Sequence, residues 1–347
     1  MADGVNESSA AGKIARMSNA AQIVVDQLAN AKNVLITTHV RPDGDALGST
    51  AALWLALRAK GVAAKVLLLS HLPTKYAFAY TDVGVDYFDV EKGFPADFSL
   101  DAYDTFCSVD TGTWSQLPGL KERVLAFKGR KLVVDHHLTQ EDWADHKWVD
   151  TKAAAAGEIV EELIELLDVP LDAAMAKSLF LAIVSDTGWL QFSNTTPNTL
   201  RRVAKLIEVG VDTDRIYQLI YQNERPERIA LQTRAMQSLE LKAGGKLAVM
   251  TIHKKDFADT RAGVPDTEAV INQPLQIRTV QMSIVLTEPP EGGPIRVSLR
   301  SKGQIDVAAF AQQFGGGGHA RAAGCKLEGS LQTAHDRIVE AAERALG

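Results

Sequence analysis

A loop near the start of the chain holds three side chains that can bind metal ions. His39, Asp43 and Asp45 lie within seven positions of the stretch THVRPDGDALGS, residues 38–49. An apolar run, NVLIT, precedes this stretch, and a second, TAALWLAL, follows it. Aspartate is also common in turns, because it caps helices and stabilises tight backbone conformations. The loop alone therefore leaves two interpretations open, a turn or a set of metal ligands.

Three further segments end in the same kinds of side chain. TFCSVD ends at Asp110, KLVVD ends at Asp135 and is followed by His136 and His137, and LFLAIVSD ends at Asp186. In open α/β sheets, ligands bind in the crevice outside the carboxyl ends of the strands. We therefore expect these side chains to meet at one crevice, which separate turn residues would not do.

This set of donors indicates a particular metal chemistry. Carboxylates and imidazoles without thiolates suit Mn²⁺, Mg²⁺ or Zn²⁺. Mixed His and Asp ligation favours Mn²⁺, since Mg²⁺ prefers an all-oxygen shell. Six or more donors suffice for two metals that share a bridging carboxylate. Two metals about 3.5–4 Å apart stabilise both the attacking and the leaving oxygen in phosphoryl displacement.

The elements around these residues predict an α/β fold. Between Ala20 and Gly210, short apolar runs alternate with longer helical stretches, which is typical of a doubly wound, mostly parallel sheet. After Gly210 the pattern changes to a smaller α+β unit, with a hairpin predicted at Gly244-Gly245. The predicted parts are a mobile polar lead-in, a catalytic domain, a helical linker and a substrate-binding domain: residues 1–18, 19–211, 212–235 and 236–347.

The length, net charge, apolar runs and cysteines limit the binding partners and the cellular compartment that we expect. The length of 347 residues suits two domains. The net charge of −6 argues against binding long nucleic acid, whose phosphates require a basic surface. No apolar run reaches the roughly 18 residues of a membrane helix, so we expect no membrane contact. Two distant cysteines, Cys107 and Cys325, suit a reducing cytoplasm.

A glycine-rich segment in the second part of the chain could hold an anion. FGGGGHARAAG, residues 314–324, exposes backbone N–H groups next to His319. Upstream, Arg300 and Lys302 lie at a predicted strand end, and arginine suits bidentate phosphate contact. A flexible turn is the alternative interpretation. The candidate substrate-binding residues are Arg300, Gly315, Gly316, Gly317, Gly318 and His319.

Four motifs in the first domain resemble a known family. HVRPDGDALGS, VDTG, VDHH and SDTG, in this order, resemble the motifs of the DHH phosphoesterases. The resemblance implies a metal-dependent phosphoesterase with two divalent ions, preferably Mn²⁺, with Mg²⁺ or Co²⁺ as alternatives. By the same resemblance the metal ligands are His39 and Asp43 for the first ion, Asp45, His136 and Asp186 for the second, and Asp110 between them.

The resemblance also implies catalytic roles. Asp110 would bridge the metals beside the attacking water. Asp135 would accept a hydrogen bond from an imidazole and orient it, and His137 would contact the substrate phosphate. The family stretch AASTGE reads AAAAGE here, residues 153–158, so two hydroxyls are absent, although no proposed ligand is affected. Trp143 and Trp148 are interpreted as core packing residues or as a surface patch, rather than as a stacking site for a base.

The second domain indicates the branch of the family. SLRSK and FGGGGHARAAG resemble the DHHA1 domain, and the chain resembles the stand-alone NrnA-type branch. This implies hydrolysis of short oligoribonucleotides to mononucleotides and removal of the 3′-phosphate from 3′-phosphoadenosine-5′-phosphate. Expected partners are short RNA and small nucleotides, with a homodimer as one option. The alternatives are a soluble phosphodiesterase for cyclic or linear dinucleotide signals and a non-catalytic nucleotide-binding protein.

Overall fold

The computed structural model describes residues 19–91, 93–95 and 98–347. The chain divides into two compact units, Met1–Asn223 and Glu224–Gly347. The predicted lead-in, residues 1–18, lies outside the described residues. The finer division into residues 19–211, 212–235 and 236–347 remains a prediction.

A parallel sheet forms the centre of the first unit. Its strands are β1 (Asn33–Thr37), β2 (Ala63–Leu68), β3 (Tyr87–Asp89), β4 (Thr105–Val109), β5 (Arg130–Asp135) and β6 (His146–Val149). They lie in the order β3-β2-β1-β4-β5-β6, and every recorded pairing is parallel. The strand order reverses between β1 and β4, which is where an open α/β sheet leaves a crevice for ligands.

Helices cover this sheet on both faces, so the predicted doubly wound fold is confirmed. They are α1 (Asn19–Ala29), α2 (Gly44–Ala59), α3 (Phe78–Thr81), α4 (Lys121–Ala126), α5 (Ala156–Leu166), α6 (Ala173–Asp186), α7 (Pro197–Glu208) and α8 (Thr213–Tyr221). Successive residues of β1 pack into opposite cores, Val34 and Ile36 against one and Leu35 against the other. Strands buried on both faces read as continuous apolar runs, which explains NVLIT.

A close crossing of α2 and α6 brings two predicted ligands together. A Cβ added at Gly48 would lie 2.3 Å from the Ser178 carbonyl oxygen, so only glycine permits this approach. Asp45 lies in the first turn of α2, and Asp186 is the last residue of α6. The crossing therefore fixes two carboxylates that come from helices rather than from strand ends.

The second unit is a mixed α+β structure, as predicted. Its strands are β7 (Glu240–Lys242), β8 (Leu247–Ile252), β9 (Met282–Thr287), β10 (Ile295–Ser301), β11 (Gly317–His319) and β12 (Ala322–Leu327), in the order β11-β12-β10-β9-β8-β7. Its helices are α9 (Pro226–Gln237), α10 (Lys254–Thr260), α11 (Val307–Gln312) and α12 (Leu331–Leu346). β7 and β8 form the predicted hairpin through the turn Ala243–Gly245. Across the described ranges, no helix is both long enough and apolar enough to cross a membrane.

Candidate metal centre

The loop after β1 serves as a helix cap and as a source of ligands. Asp43 is the N-cap of α2, and its Oδ1 accepts hydrogen bonds from the backbone N–H groups of Asp45 and Ala46, at 3.0 and 3.1 Å. The turn interpretation is therefore correct for Asp43. It does not explain why the same carboxylate also faces a histidine. Its Oδ1 also lies 3.7 Å from Nε2 of His39.

His39, Asp43 and Asp110 form one group of potential ligands. Nε2 of His39 lies 3.4 Å from Oδ2 of Asp110. The other ring nitrogen, Nδ1, lies 3.0 Å from the Val40 carbonyl oxygen, to which it can only donate. That hydrogen bond places the second ring nitrogen, Nε2, toward the carboxylates, so the unprotonated ring would present its lone pair to a metal there, as metal-binding histidines usually do.

A second group contains Asp45, His136 and Asp186. Nε2 of His136 lies 3.7 Å from Asp45 and 3.4 Å from Asp186. It is also 3.3 Å from Oδ1 of Asp110, whereas Oδ2 of Asp110 faces His39. One oxygen of Asp110 therefore faces each group, which is the geometry of a bridging carboxylate.

The donors fit divalent ions, because two of them are buried without hydrogen-bond partners. Asp110 Oδ1 and His136 Nε2 are both inaccessible; they lie 3.3 Å apart without forming a well-aligned hydrogen bond, and neither has another hydrogen-bond partner. Such orphaned polar atoms are costly in a protein interior unless something satisfies them. Oxygen and imidazole donors without thiolate match Mn²⁺ and related ions. His39, Asp43, Asp45, Asp110, His136 and Asp186 can thus hold metal ions.

Backbone groups hold Asp45 in place. Its two oxygens accept the N–H groups of Ala156 and Gly157 at the start of α5, at 2.6 and 3.0 Å. The hydroxyl of Ser49 donates to the same carboxylate at 2.8 Å. These contacts use the backbone of the AAAAGE stretch. The departure from the family pattern, at Ala155 and Ala156, therefore leaves this support intact, and both methyl groups are buried in the core.

Asp135 supports the ring of His137. Its Oδ1 lies 2.8 Å from Nδ1 of His137 and also accepts the backbone N–H groups of His136 and His137. The ring of His136 uses a different acceptor, since its Nδ1 lies 3.3 Å from the Ala153 carbonyl oxygen. The side chain of His137 is 55% exposed and that of His136 only 12%. The two neighbouring histidines therefore differ in surroundings: His137 faces solvent, and His136 faces carboxylates.

The electrostatics of the metal-free centre favour bound protons. Burial opposes charge on His39, but hydrogen bonds to Asp110 and Asp43 outweigh it and raise the pKa of His39 to about 11. For His136, burial is likewise outweighed by Asp110 and Asp45, and its pKa rises to about 10. Burial and the charge of Asp110 raise the pKa of Asp186 to about 6 and that of Asp45 well above its usual value. The cluster thus has excess negative charge for a cation to balance.

Metal uptake should therefore release protons. Both imidazoles are protonated at pH 7.5 in the metal-free protein because their pKa values lie above that pH, and a metal binds only the unprotonated ring. We expect about two protons per chain from the imidazoles, together with any proton that Asp45 holds, and an affinity for Mn²⁺ that falls as the pH is lowered. Calorimetric titration in two buffers of different ionisation enthalpy measures the number of protons released on metal binding. The exposed His253 of the second unit, which belongs to no group of potential ligands among the described residues, provides a control: His253→Gln should leave the number of released protons unchanged. Buffer-independent heats would contradict the prediction.

A cleft of about 680 Å³ opens beside these residues, a volume suited to a small organic ligand. Its far wall was not predicted from the sequence and consists of the segment after β4, including Thr111, Thr113 and Gln116. The sequence contained a signal for this wall. The segment follows β4, one of the two strands between which the strand order reverses, and loops after such strands border the ligand crevice. His137, Asp43 and Asp186 border the same cleft.

In the second unit, two candidate substrate-binding residues share one row of the sheet. Arg300 on β10 pairs with Ala322 on β12, and Ala322 pairs with His319 on β11. Directly opposed residues point to the same face, and two strand spacings separate Arg300 from His319 by about 10 Å. The glycine segment is a paired strand at residues 317–319 rather than a free turn. A Cβ at Gly316 or Gly318 would lie within 2.5 Å of backbone oxygen on β12.

Comparisons with known proteins match both units to protein families. Residues 33–183 match the model of the DHH family N-terminal domain, and residues 244–347 match the DHHA1 domain. The Bifunctional oligoribonuclease and PAP phosphatase NrnA of Thermus thermophilus is 32% identical over 90% of this chain and 90% of its own length. The protein of the same name from Bacillus subtilis is 27% identical over 85% of this chain and 89% of its own.

Solved structures share the fold. An exopolyphosphatase-related protein from Bacteroides fragilis superposes with a TM-score of 0.78 at 23% identity, covering 95% of this chain and 97% of the other. Exonuclease RecJ bound to manganese superposes with a TM-score of 0.51 at 17% identity, covering 94% and 93%.

Proposed function

The chain belongs to the DHH family, carries a DHHA1 domain and is a metal-dependent phosphoesterase, and on this premise we propose that it hydrolyses short oligoribonucleotides to mononucleotides. We propose a second activity, removal of the 3′-phosphate from 3′-phosphoadenosine-5′-phosphate. The observation that carries the proposal is the pair of ligand groups whose histidines, His39 and His136, each face one oxygen of Asp110. The named activities of the Thermus and Bacillus relatives supply the substrate class.

The residues of the centre have distinct tasks in this proposal. The six candidate ligands hold two ions, with Mn²⁺ preferred by the donor set. When bound, such ions acidify water and offset charge on phosphoryl oxygens. Asp135 accepts a hydrogen bond from Nδ1 of His137 and raises the pKa of the ring, so the protonated ring can also donate its Nε2–H to a phosphate oxygen. Asp135 is itself fixed by Gln140 at its other oxygen.

We propose that the second unit binds the substrate through Arg300, His319 and the glycine strand. Removing the imidazole in His319→Ala should raise KM about 10- to 150-fold and leave the metal content unchanged, since a hydrogen bond to a charged group contributes about 1.5–3 kcal/mol. Steady-state kinetics and metal analysis measure the two quantities. An unchanged KM would remove His319 from the site, and His335→Ala, a histidine of the same unit, serves as the control.

Two further proposals concern the cellular compartment and a second candidate function. We propose a cytoplasmic protein, which the free cysteines Cys107 and Cys325 fit. A dinucleotide-signal phosphodiesterase is the second candidate, because the Cyclic-di-AMP phosphodiesterase PdeA of Listeria monocytogenes is 28% identical over 57% of this chain. The match covers only 29% of that protein.

A turnover assay with Mn²⁺ tests the proposal. The substrates are 5′-phosphorylated oligoribonucleotides of two to twenty residues, 3′-phosphoadenosine-5′-phosphate, cyclic di-AMP and pyrophosphate. We expect fast release of mononucleotide from the shortest oligomers and slow hydrolysis of the longest. Preference for the long strand or for the cyclic dinucleotide would contradict the proposed substrate, and no turnover at all would contradict the proposed activity.

A further inference from the structure

An aromatic cluster lies next to the metal centre, and neither the metal chemistry nor the glycine strand accounts for it. Trp189 contacts Tyr217 and Tyr221 of α8 edge to face, with ring centroids 5.1 and 5.7 Å apart. Tyr217 and Tyr221 are themselves 5.0 Å apart. Tyr76 lies in the short turn Thr74–Tyr76, which packs against α8.

These rings are close to the candidate ligands. Trp189 follows Asp186 by three residues, so their Cα atoms lie at most about 11 Å apart. Burial, and after it the charges of Asp43, Tyr221 and Asp186, raise the pKa of Tyr76 to about 12. Tyr76 lies near Tyr221, since Nζ of Lys75 is 5.3 Å from the ring centroid of Tyr76 and 4.9 Å from that of Tyr221.

The backbone at this position is unusual, and hydrogen bonds from Trp189 N–H to the Val184 carbonyl oxygen and from Leu190 N–H to the Thr187 hydroxyl hold it. Gly188, Trp189 and Leu190 have φ values of 55°, 59° and 65°, three successive residues in the left-handed region. Side chains other than glycine are uncommon there, and such conformations persist where the surroundings enforce them, often at functional sites. Phe180 contacts the indole of Trp189 from α6, at 5.8 Å.

Packing inside the protein does not explain why Tyr217 and Tyr221 lie at the surface. The side chains of Tyr217 and Tyr221 remain 39% and 45% exposed, although they are large and apolar. The ammonium group of Lys75 lies over two ring faces at once, 5.3 Å from the centroid of Tyr76 and 4.9 Å from that of Tyr221. Two aromatic faces thus converge on one position next to the phosphate-cleaving centre, and a flat ring could replace the ammonium group there.

We propose that Tyr76 and Tyr221 form a slot that stacks a nucleobase of the substrate, with Lys75 moving to contact a phosphate. The proposal rests on the proposed function and specifies how the catalytic unit recognises a nucleotide. Stacking on aromatic rings is tolerant of base identity, because every base has a π face. The slot would therefore distinguish nucleotides from phosphate esters without a base, rather than one base from another.

Equilibrium binding to the Mn²⁺-loaded protein tests the slot without turnover. The two probes are adenosine 5′-monophosphate and ribose 5-phosphate, which differ by the base, and calorimetry measures each Kd. We expect Tyr221→Ala to weaken binding of the monophosphate about 5- to 100-fold and to leave ribose 5-phosphate unchanged. Tyr221→Phe keeps a ring and should stay within about twofold of wild type. Tyr103 precedes the central strand β4, at the end of the sheet opposite the metal centre. Tyr103→Ala is the matched control and should bind both probes as wild type does.

Three results would overturn the slot: wild-type affinity in Tyr221→Ala, an equal loss for both probes, or no binding of the monophosphate to the wild-type protein. Each is separate from failure of the proposed function, which appears in the turnover assay as no hydrolysis or as a different preferred substrate.

Discussion

The Asp110→Asn protein is expected to lose metal and activity while keeping its fold. Asp110 faces both ligand groups, so one substitution weakens both, and kcat/KM should fall at least about a thousandfold. Asparagine is the better replacement because the φ of Asp110 is 65°, a conformation that asparagine adopts readily and alanine does not. Metal analysis after gel filtration and steady-state kinetics measure the two losses.

Asp104 provides the control for this variant, at the other end of the same strand. Its Oδ2 accepts the backbone N–H of Lys32 at 2.7 Å, far from any candidate ligand. Asp104→Asn should keep wild-type metal content and turnover. The Tm of metal-free Asp110→Asn should lie within about 4 °C of wild type, the shift that about 1 kcal/mol gives. Full metal loading with full activity in Asp110→Asn would contradict its placement as the shared ligand.

The two neighbouring histidines should respond differently to the same substitution. Nε2 of His136 is buried and faces three carboxylates, so His136→Gln should lose about one metal ion per chain and at least about a thousandfold in kcat/KM. His137 is half exposed and oriented by Asp135, so His137→Gln should keep its metal. Loss of one donor to the phosphate should lower its kcat about a hundredfold.

Metal content separates these two expectations from a general loss of structure. Both variants replace an imidazole by a side chain of similar volume, and both keep the backbone hydrogen bonds to Asp135. Equal metal content in the two variants, or loss of metal only in His137→Gln, would contradict the assigned roles. Unchanged kcat in His137→Gln would remove it from the reaction.

Strand-end residues were the most predictable part of the centre. His39, Asp110 and His136 follow β1, β4 and β5, which are adjacent in the sheet and parallel. Parallel strands end at the same edge, so a chain with alternating strands and helices already implies that these side chains meet. The fold class followed from the same alternation and is confirmed. Trp143 and Trp148, interpreted as core packing residues or as a surface patch, are each only 6% exposed.

For contacts that depend on helix packing, the pattern of strands and helices supplied no geometry, and the grouping of Asp45 and Asp186 with His136 came from the family resemblance. Asp45 and Asp186 meet His136 because α2 and α6 cross closely at Gly48, and no periodicity specifies which helices cross. The acceptor for the His136 ring is the backbone carbonyl of Ala153, which carries no side-chain signal. The aromatic slot likewise joins Tyr76 to Tyr221, far apart in the chain.

Crystals grown with Mn²⁺ would test the central claim most directly, by anomalous scattering at the manganese edge. We predict two peaks per chain, one between His39 and Asp43 and one between His136 and Asp186, with Asp110 contacting both. A single peak, or manganese bound away from these six side chains, would contradict the dinuclear centre on which the proposed function depends.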